Sequence, residues 1–379
     1  MVRRSRYLPR VTAAATGTST PNHDGRLRQL DGLRAVAIGL VVAHHMWPMP
    51  DGTPPLGFAG VALFFVISGF LITRILLDCK DRIACGEATV ASQLWAFYAR
   101  RALRIFPPYY GLLLIVWLMG VRKIDDRIWW HLTYTWNWIY ATGEGVGRGG
   151  GFDRHLWSLC VEEQFYLLWP MLALFLPRRA FPWLLVLCVA IGVGWRARFA
   201  WLLFKEQWHY GWFEFPTPAV IDFLAAGGAL AYWWGRPWLK RACWICIAIG
   251  LPFVLLGWFP PSPDFQIFAR IVVGRVFLAM VWMGVVGLVA MGLPGLLGRS
   301  LEWKPIAFLG VISYGIYLLH LFVNGAVGVT FDDDFPHWAG AAIGTAATVA
   351  LAALSWVCFE GPINRLKRFV PYGRTTVRS

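Results

Sequence analysis

Ten stretches of this chain are each close to 20 residues long and mostly apolar: 31–49, 57–77, 105–121, 156–176, 181–203, 218–235, 241–259, 267–293, 305–328 and 338–359. A helix needs about 20 such residues to cross a bilayer. Inside lipid every backbone polar group must be paired within the segment, so runs of this length specify helices. The expected fold is therefore all-α, a polytopic membrane protein with about ten transmembrane helices. Only 15% of residues are charged and 58% are hydrophobic, against about 25% charged in a soluble domain. The 23 tryptophans fit rings placed at the two interfaces. The segment 127–140, RIWWHLTYTWNWIY, is too short and too aromatic for a span and reads as an interfacial helix. The Gly-rich GEGVGRGGGF after it reads as a loop.

Basic residues orient the bundle. With the N-terminus inside, the inner connections and tails carry 24 Lys and Arg and the outer ones 6. Cytoplasmic loops hold such an excess, so both termini are expected in the cytoplasm, in the bacterial inner membrane. The net charge of +14 is thereby absorbed as a topology signal, and nucleic acid is not an expected partner. Residues 1–27 are basic, lack an apolar signal-peptide core and are expected to be a disordered cytoplasmic tail. Residues 363–379 form a second basic tail, leaving 28–362 as one membrane domain. Most of the seven cysteines lie in apolar runs, where packing is the ordinary role. Neither a disulfide framework nor a metal site is expected.

Ionisable groups inside spans are costly and point to function. In LDGLRAVAIGLVVAHHM, Arg34 and His45 are eleven residues apart, about three turns, so they share a face roughly 16 Å apart along the axis. A snorkelling anchor is the alternative for Arg34, and a buried structural hydrogen-bonder for His45. Ser68 and Gly69 fall in the middle of the second run, where small residues also serve close helix packing. Arg100, Arg101 and Arg104 precede Pro107 and Pro108. Tandem prolines suit a helix start, so a positive dipole end and three guanidiniums are expected to form an anion site. A positive-inside anchor is the plainer reading. The stretch LWSLCVEEQFYLLWP sets Glu162 and Glu163 six or seven residues into a span, about 10 Å deep. His45 and, in FLGVISYGIYLLHLF, His320 are expected at similar depth. Glu162 is then expected to accept a hydrogen bond from His45, or from His320, fixing the tautomer; the alternative is that it pairs a structural arginine. Gln164 and Ser158 are placed near the outer mouth, and Trp157 offers a face for a sugar. Asp222, Arg196 and Arg198 read most simply as a structural ion-pair group.

Five blocks, in order, carry a resemblance: LDGLRAVAIGLVVAHH, ALFFVISGFLIT, RRALRIFPPYY, LWSLCVEEQFYLLWP and ISYGIYLLH, with the terminal FEGP. They resemble the acyltransferase-3 family of bacterial integral membrane acyltransferases, over about residues 28 to 362. The resemblance implies a ten-span O-acyltransferase that takes an acyl group, usually acetyl, from cytoplasmic acyl-coenzyme A. The acyl-CoA is a donor substrate, and no bound cofactor is implied. The acceptor implied is a hydroxyl on a surface or lipid-linked glycan: O-antigen, exopolysaccharide or peptidoglycan. Macrolide or lipid acceptors are the alternative. The family's critical histidine and arginine map to His45 and Arg34, and its RxxR element to Arg101 and Arg104. Many relatives carry a fused extracytoplasmic SGNH-type hydrolase domain. This chain is expected to lack it and to work alone or with a separate extracytoplasmic partner.

Together the expected site comprises His45 and Glu162 as catalytic groups. Arg34, Arg100, Arg101 and Arg104 are donor contacts. Ser68, Trp157, Ser158, Gln164, Tyr314 and His320 support them or contact the acceptor. The histidine at the outer end acts as general base on a hydroxyl or as a transient acyl carrier; the sequence leaves both open. A proton-coupled transporter is a further alternative, since the same residue types build proton relays, but the inverted repeats it predicts are not found.

Overall fold

The computed structural model describes residues 28–50, 53, 55–120, 127–143, 151–205, 210–256, 268–330 and 336–372. The basic tail 1–27, residues 144–150 of the Gly-rich stretch and residues 373–379 lie outside that set. Among the described residues there is no strand. The long helices are α1 (Arg28–Met46), α2 (Leu56–Ala84), α3 (Val90–Leu118), α4 (Trp157–Phe175), α5 (Phe181–Phe204), α6 (Thr217–Tyr232) and α7 (Leu239–Leu256). A π-helical turn, Phe268–Gly274, leads into α8 (Arg275–Ala290). Then come α9 (Gly295–Glu302), α10 (Lys304–Val311), α11 (Ser313–Thr330) and α12 (His337–Ser355). Every apolar run singled out in the sequence falls on one of these helices, or on the pair α10 and α11.

Five helices are long and apolar enough to cross a membrane, or six if α10 and α11, bent by 71°, count as one span. The described helices that miss that measure include α1, α3 and α4. Their polar residues explain it: Arg34 on α1, Arg101 and Arg104 on α3, and Glu162, Glu163 and Gln164 on α4. α6 has only 16 residues.

Glycines set the closest helix crossings. A Cβ on Gly69 would stand 2.0 Å from the Leu224 carbonyl oxygen, and one on Gly227 would stand 2.1 Å from that of Val66, so α2 and α6 meet backbone to backbone. In the same way Gly310 lies against the Asp31 carbonyl and Gly32 against Leu301, seating α9 and α10 on α1. Such approaches need residues without side chains. Gly69 therefore does the packing, while its neighbour Ser68 turns to an internal cavity.

Two expectations about local structure are corrected. Pro107 and Pro108 do not start a helix; they lie inside α3, which begins at Val90 behind a Thr89–Ser92 capping box. A proline removes the bond to the carbonyl four residues back, here those of Leu103 and Arg104. The arginine cluster thus lies mid-helix, without a dipole end beside it. The segment 127–140 is two short helices, Ile128–Leu132 and Trp136–Ala141, with Tyr134 between them at φ 52°. That left-handed conformation costs on the order of 1–3 kcal/mol for a side chain of this size. It is held by a 2.7 Å bond from Gln164 Nε2 to the Tyr134 carbonyl and by ring stacking on Tyr109 at 4.5 Å.

The ion pair expected from Asp222 is present with Arg196 alone. Both Arg196 Nη atoms donate to the Asp222 carboxylate, at 2.9 and 2.7 Å, and both residues are buried, whereas Arg198 is exposed. Residues 363–372, read as tail, pack on the bundle: Arg100 Nη1 donates to the carbonyls of Lys367 at 2.8 Å and Val370 at 3.1 Å, and Arg82 donates to that of Tyr372. Cys243 and Cys246 form a Cys-x-x-Cys pair on α7; both thiols are free, and Cys243 packs against Gly287.

Candidate active site

A cavity of about 250 Å³ runs between α2, α3, α4 and α11. Its wall on α2 extends from Val61 to Ile75, fourteen residues or about 21 Å of rise. It is therefore a narrow slot. One end is basic: Arg34 from α1 with Arg101 and Arg104 from α3. The other end closes on Ser158 from α4 and Tyr317 from α11. The bend between α10 and α11 swings Ser313, Tyr314 and Tyr317 onto its wall.

Between the ends lies a polar band. Ser68 Oγ donates to Glu162 Oε1 at 2.8 Å and lies 2.7 Å from the Tyr166 hydroxyl. Because Ser68 spends its proton on the carboxylate, Tyr166 is the donor in the second bond. Glu162 and Tyr166 are four residues apart on α4 and share a face. Arg101 stacks over the Tyr166 ring at 5.3 Å. Arg34, Arg101 and Arg104 are the cations acting on Glu162. Arg34 makes no hydrogen bond or close ion pair among the described residues. Glu163 Oε1 and Ser313 Oγ, both belonging to residues on the slot wall, are buried without a partner among the described residues. Orphaned atoms of this kind are costly unless a ligand or water completes them.

The histidines stand beyond the closed end. His45 Nδ1 lies 3.0 Å from His320 Nε2, with the ring centroids 5.1 Å apart and the planes 22° from parallel, so the rings meet edge to edge along that contact. His320 is fully buried, and its Nδ1 lies 2.6 Å from the Tyr317 carbonyl oxygen. Tyr317 therefore faces both ways. Its hydroxyl meets Ser158 Oγ at 2.5 Å and donates to the His155 carbonyl at 2.8 Å, while its own carbonyl anchors His320. His155 packs its ring edge against His320 at 4.7 Å and bonds the Leu318 carbonyl through Nε2 at 3.3 Å. Among the described residues, no three His, Cys, Asp or Glu side chains converge to hold a metal ion.

Of the residues expected from the sequence, the structure gathers Arg34, Ser68, Arg101, Arg104, Ser158, Glu162 and Tyr314 on one slot and pairs His45 with His320. The hydrogen bond expected from His45 to Glu162 is not made: His45 bonds His320, and Glu162 bonds Ser68. The two groups lie at different depths: His44, beside His45, packs on Gly57 at the start of α2, whereas Glu162 bonds Ser68, eleven residues or about 16 Å further along that helix. Arg100 points away from the slot to the C-terminal segment and stacks on Tyr372 at 5.2 Å. Gln164, two residues past Glu162, faces the opposite side of α4, where it donates to Asn137 Oδ1 at 2.9 Å and accepts from Thr217. Trp157 is buried against Phe65 and Phe215 and offers no open face. Tyr166, Tyr317 and His155 were missed. The i, i+4 relation of Glu162 to Tyr166, and the i, i+3 relation of Tyr317 to His320, were the signals available.

Residues 27–357 match the family model described as an acyltransferase domain. Similar curated proteins include the peptidoglycan O-acetyltransferase OatA of Listeria monocytogenes, 30% identical, covering 89% of this chain and 55% of the relative. They also include the putative peptidoglycan O-acetyltransferase YrhL of Bacillus subtilis, 28% identical, covering 90% and 55%. The O-acetyltransferase OatA of Staphylococcus aureus is 29% identical, covering 78% and 51%. The chain thus spans about half the length of these relatives. No solved structure matches it. A family match over most of the chain, reaching every helix that builds the slot and the histidine pair, establishes that the chain belongs to the acyltransferase domain family.

Proposed function

We propose that this protein is an integral membrane O-acyltransferase that moves an acetyl or similar acyl group from cytoplasmic acyl-CoA to a glycan hydroxyl on the far side of the inner membrane. The observation that carries this reading is the slot itself. It is about 21 Å long, basic at one end and closed at the other against the residue that anchors the histidine pair. The basic end suits the phosphates of coenzyme A, which guanidiniums bind well. The pantetheine arm is long and thin and carries amides. Glu163 Oε1, as acceptor, and Ser313 Oγ, as donor or acceptor, are the unsatisfied atoms beside its path.

In this reading the basic end faces the cytoplasm, the chain crosses the membrane ten times and both termini are cytoplasmic. The 24-to-6 bias of Lys and Arg across the connections supports that topology. The similar O-acetyltransferases support a glycan acceptor, and peptidoglycan is the one that two of their names give.

The reaction balances simply. The acceptor O–H gives its proton to a histidine nitrogen, and its oxygen forms a bond to the acyl carbon. The carbon–sulfur bond breaks, and the thiolate leaves with the electron pair and recovers the proton. Products are the glycan ester and free coenzyme A. His45, half-buried beyond the slot's end, is the base in this scheme.

Purified protein in nanodiscs, given acetyl-CoA labelled in the acetyl group and a muropeptide-type or other glycan acceptor, is expected to form labelled ester. His45→Ala is expected to abolish it. Uptake of a solute into proteoliposomes without ester formation would contradict the reading.

A further inference from the structure

We propose that His320 is a positioning residue that forces His45 into the Nδ1–H tautomer, leaving its Nε2 lone pair as the reactive atom. The direction follows from one fixed end. The Tyr317 carbonyl can only accept, so the 2.6 Å contact requires a proton on His320 Nδ1. A neutral imidazole carries one proton, so His320 Nε2 is an acceptor. The 3.0 Å contact to His45 Nδ1 is then closed by a proton on His45. His45 Nε2 is left bare.

The surroundings keep both rings neutral at rest. The titratable or charged groups facing the pair are His44, His155 and Arg154. No carboxylate is among them within the described residues. His155 spends its Nε2 on the Leu318 carbonyl, leaving it no proton to offer the pair through Nδ1. A resting cation on the fully buried His320 would have no counter-charge. In water an imidazole favours the Nε2–H tautomer; here the protein imposes the other one.

The consequence rests on the acyltransfer reading. Nε2 of His45 takes the hydroxyl proton, and the resulting charge is shared through Nδ1–H with His320 and the Tyr317 carbonyl dipole. The role expected of Glu162 from sequence thus falls to a second histidine. The same Tyr317 whose hydroxyl closes the slot fixes, through its carbonyl, the tautomer of the base beyond it.

The test reads the tautomer directly. Protein labelled with ¹⁵N-histidine is placed in nanodiscs, and the His45 signals are assigned by their loss in His45→Gln. The wild type is expected to show Nδ1 protonated and Nε2 bare. In His320→Leu the ring should revert to Nε2–H, with kcat falling on the order of 10²-fold or more and donor KM unchanged. In His320→Gln the side-chain oxygen accepts from His45 and its amide donates to Tyr317, so the tautomer and most of the turnover should survive. A wild-type His45 found as Nε2–H, or a tautomer unmoved by His320→Leu, overturns the proposal. The tautomer is read without turnover, so it is decided even if the donor or acceptor is another molecule. Conversely, acyl transfer by a protein whose His45 is Nε2–H sinks this inference and leaves the acyltransferase reading standing.

Discussion

Removing Arg101 and Arg104 together should weaken acyl-CoA binding on the order of 100-fold while leaving the fold in place. Both guanidiniums line the slot. A charge-assisted hydrogen bond contributes about 1.5–3 kcal/mol, and the lower figure applies where phosphates remain wet. Two such bonds give about 3 kcal/mol, or on the order of 100-fold in Kd. Arg100 is the internal control. It is one residue away in sequence, but its guanidinium is spent on the carbonyls of Lys367 and Val370. Arg100→Ala should therefore lower the melting temperature and leave the Kd within a few-fold. Calorimetric titration of acetyl-CoA into nanodisc-embedded protein separates the two effects, and the double variant should also show a shallower salt dependence. Equal losses of affinity in Arg100→Ala and in the double variant would refute the assignment of the basic end to the donor.

Glu162 partly neutralises Arg34, Arg101 and Arg104, so Glu162→Gln should bind the anionic donor as tightly as wild type or tighter; a large loss in the same titration would mean that the carboxylate itself contacts the donor. Gly69→Ala places a Cβ 2.0 Å from the Leu224 carbonyl oxygen and should cost about 1–3 kcal/mol or more, read as a lower melting temperature. Gly39, also helical, has nothing within 4 Å of its would-be Cβ, so Gly39→Ala should be neutral or stabilising by up to about 1 kcal/mol. Asp222→Leu strands the buried Arg196 and should destabilise by about 3–5 kcal/mol, whereas adding Arg196→Leu should recover much of the loss in the same melting assay.

The helices were legible in the sequence because apolar length and lipid chemistry leave few choices. The slot was only half legible. Residues that share a helix face, such as Arg101 with Arg104 or Ser68 with the α2 wall, follow from spacing. The depth of a residue in a neighbouring helix does not, and that is why Glu162 was matched to His45 when it lies about 16 Å deeper, beside Ser68. Arg100 and Gln164 failed for a related reason. Each sits beside a true wall residue in sequence, but one or two positions turn a helical side chain by about 100° or 200°, onto another surface. Pro107 and Pro108 misled because α3 runs through both as one continuous helix. The histidine pair was within reach of sequence reasoning, since the ISYGIYLLH block holds His320 and its carbonyl anchor three residues apart.

The central claim is that the donor lies in the slot with its nucleotide at Arg101 and Arg104 and its reactive end toward His45. The most direct measurement is cryo-electron microscopy of the nanodisc-embedded protein with a non-transferable acetyl-CoA analogue in which a methylene replaces the thioester sulfur. The account predicts phosphate density against Arg101 and Arg104, arm density running between α2 and α4 past Glu163, and the acetyl carbonyl at Tyr317, the near side of the His45–His320 pair. Nucleotide density elsewhere on the bundle, with the slot filled by side chains or lipid, would contradict it.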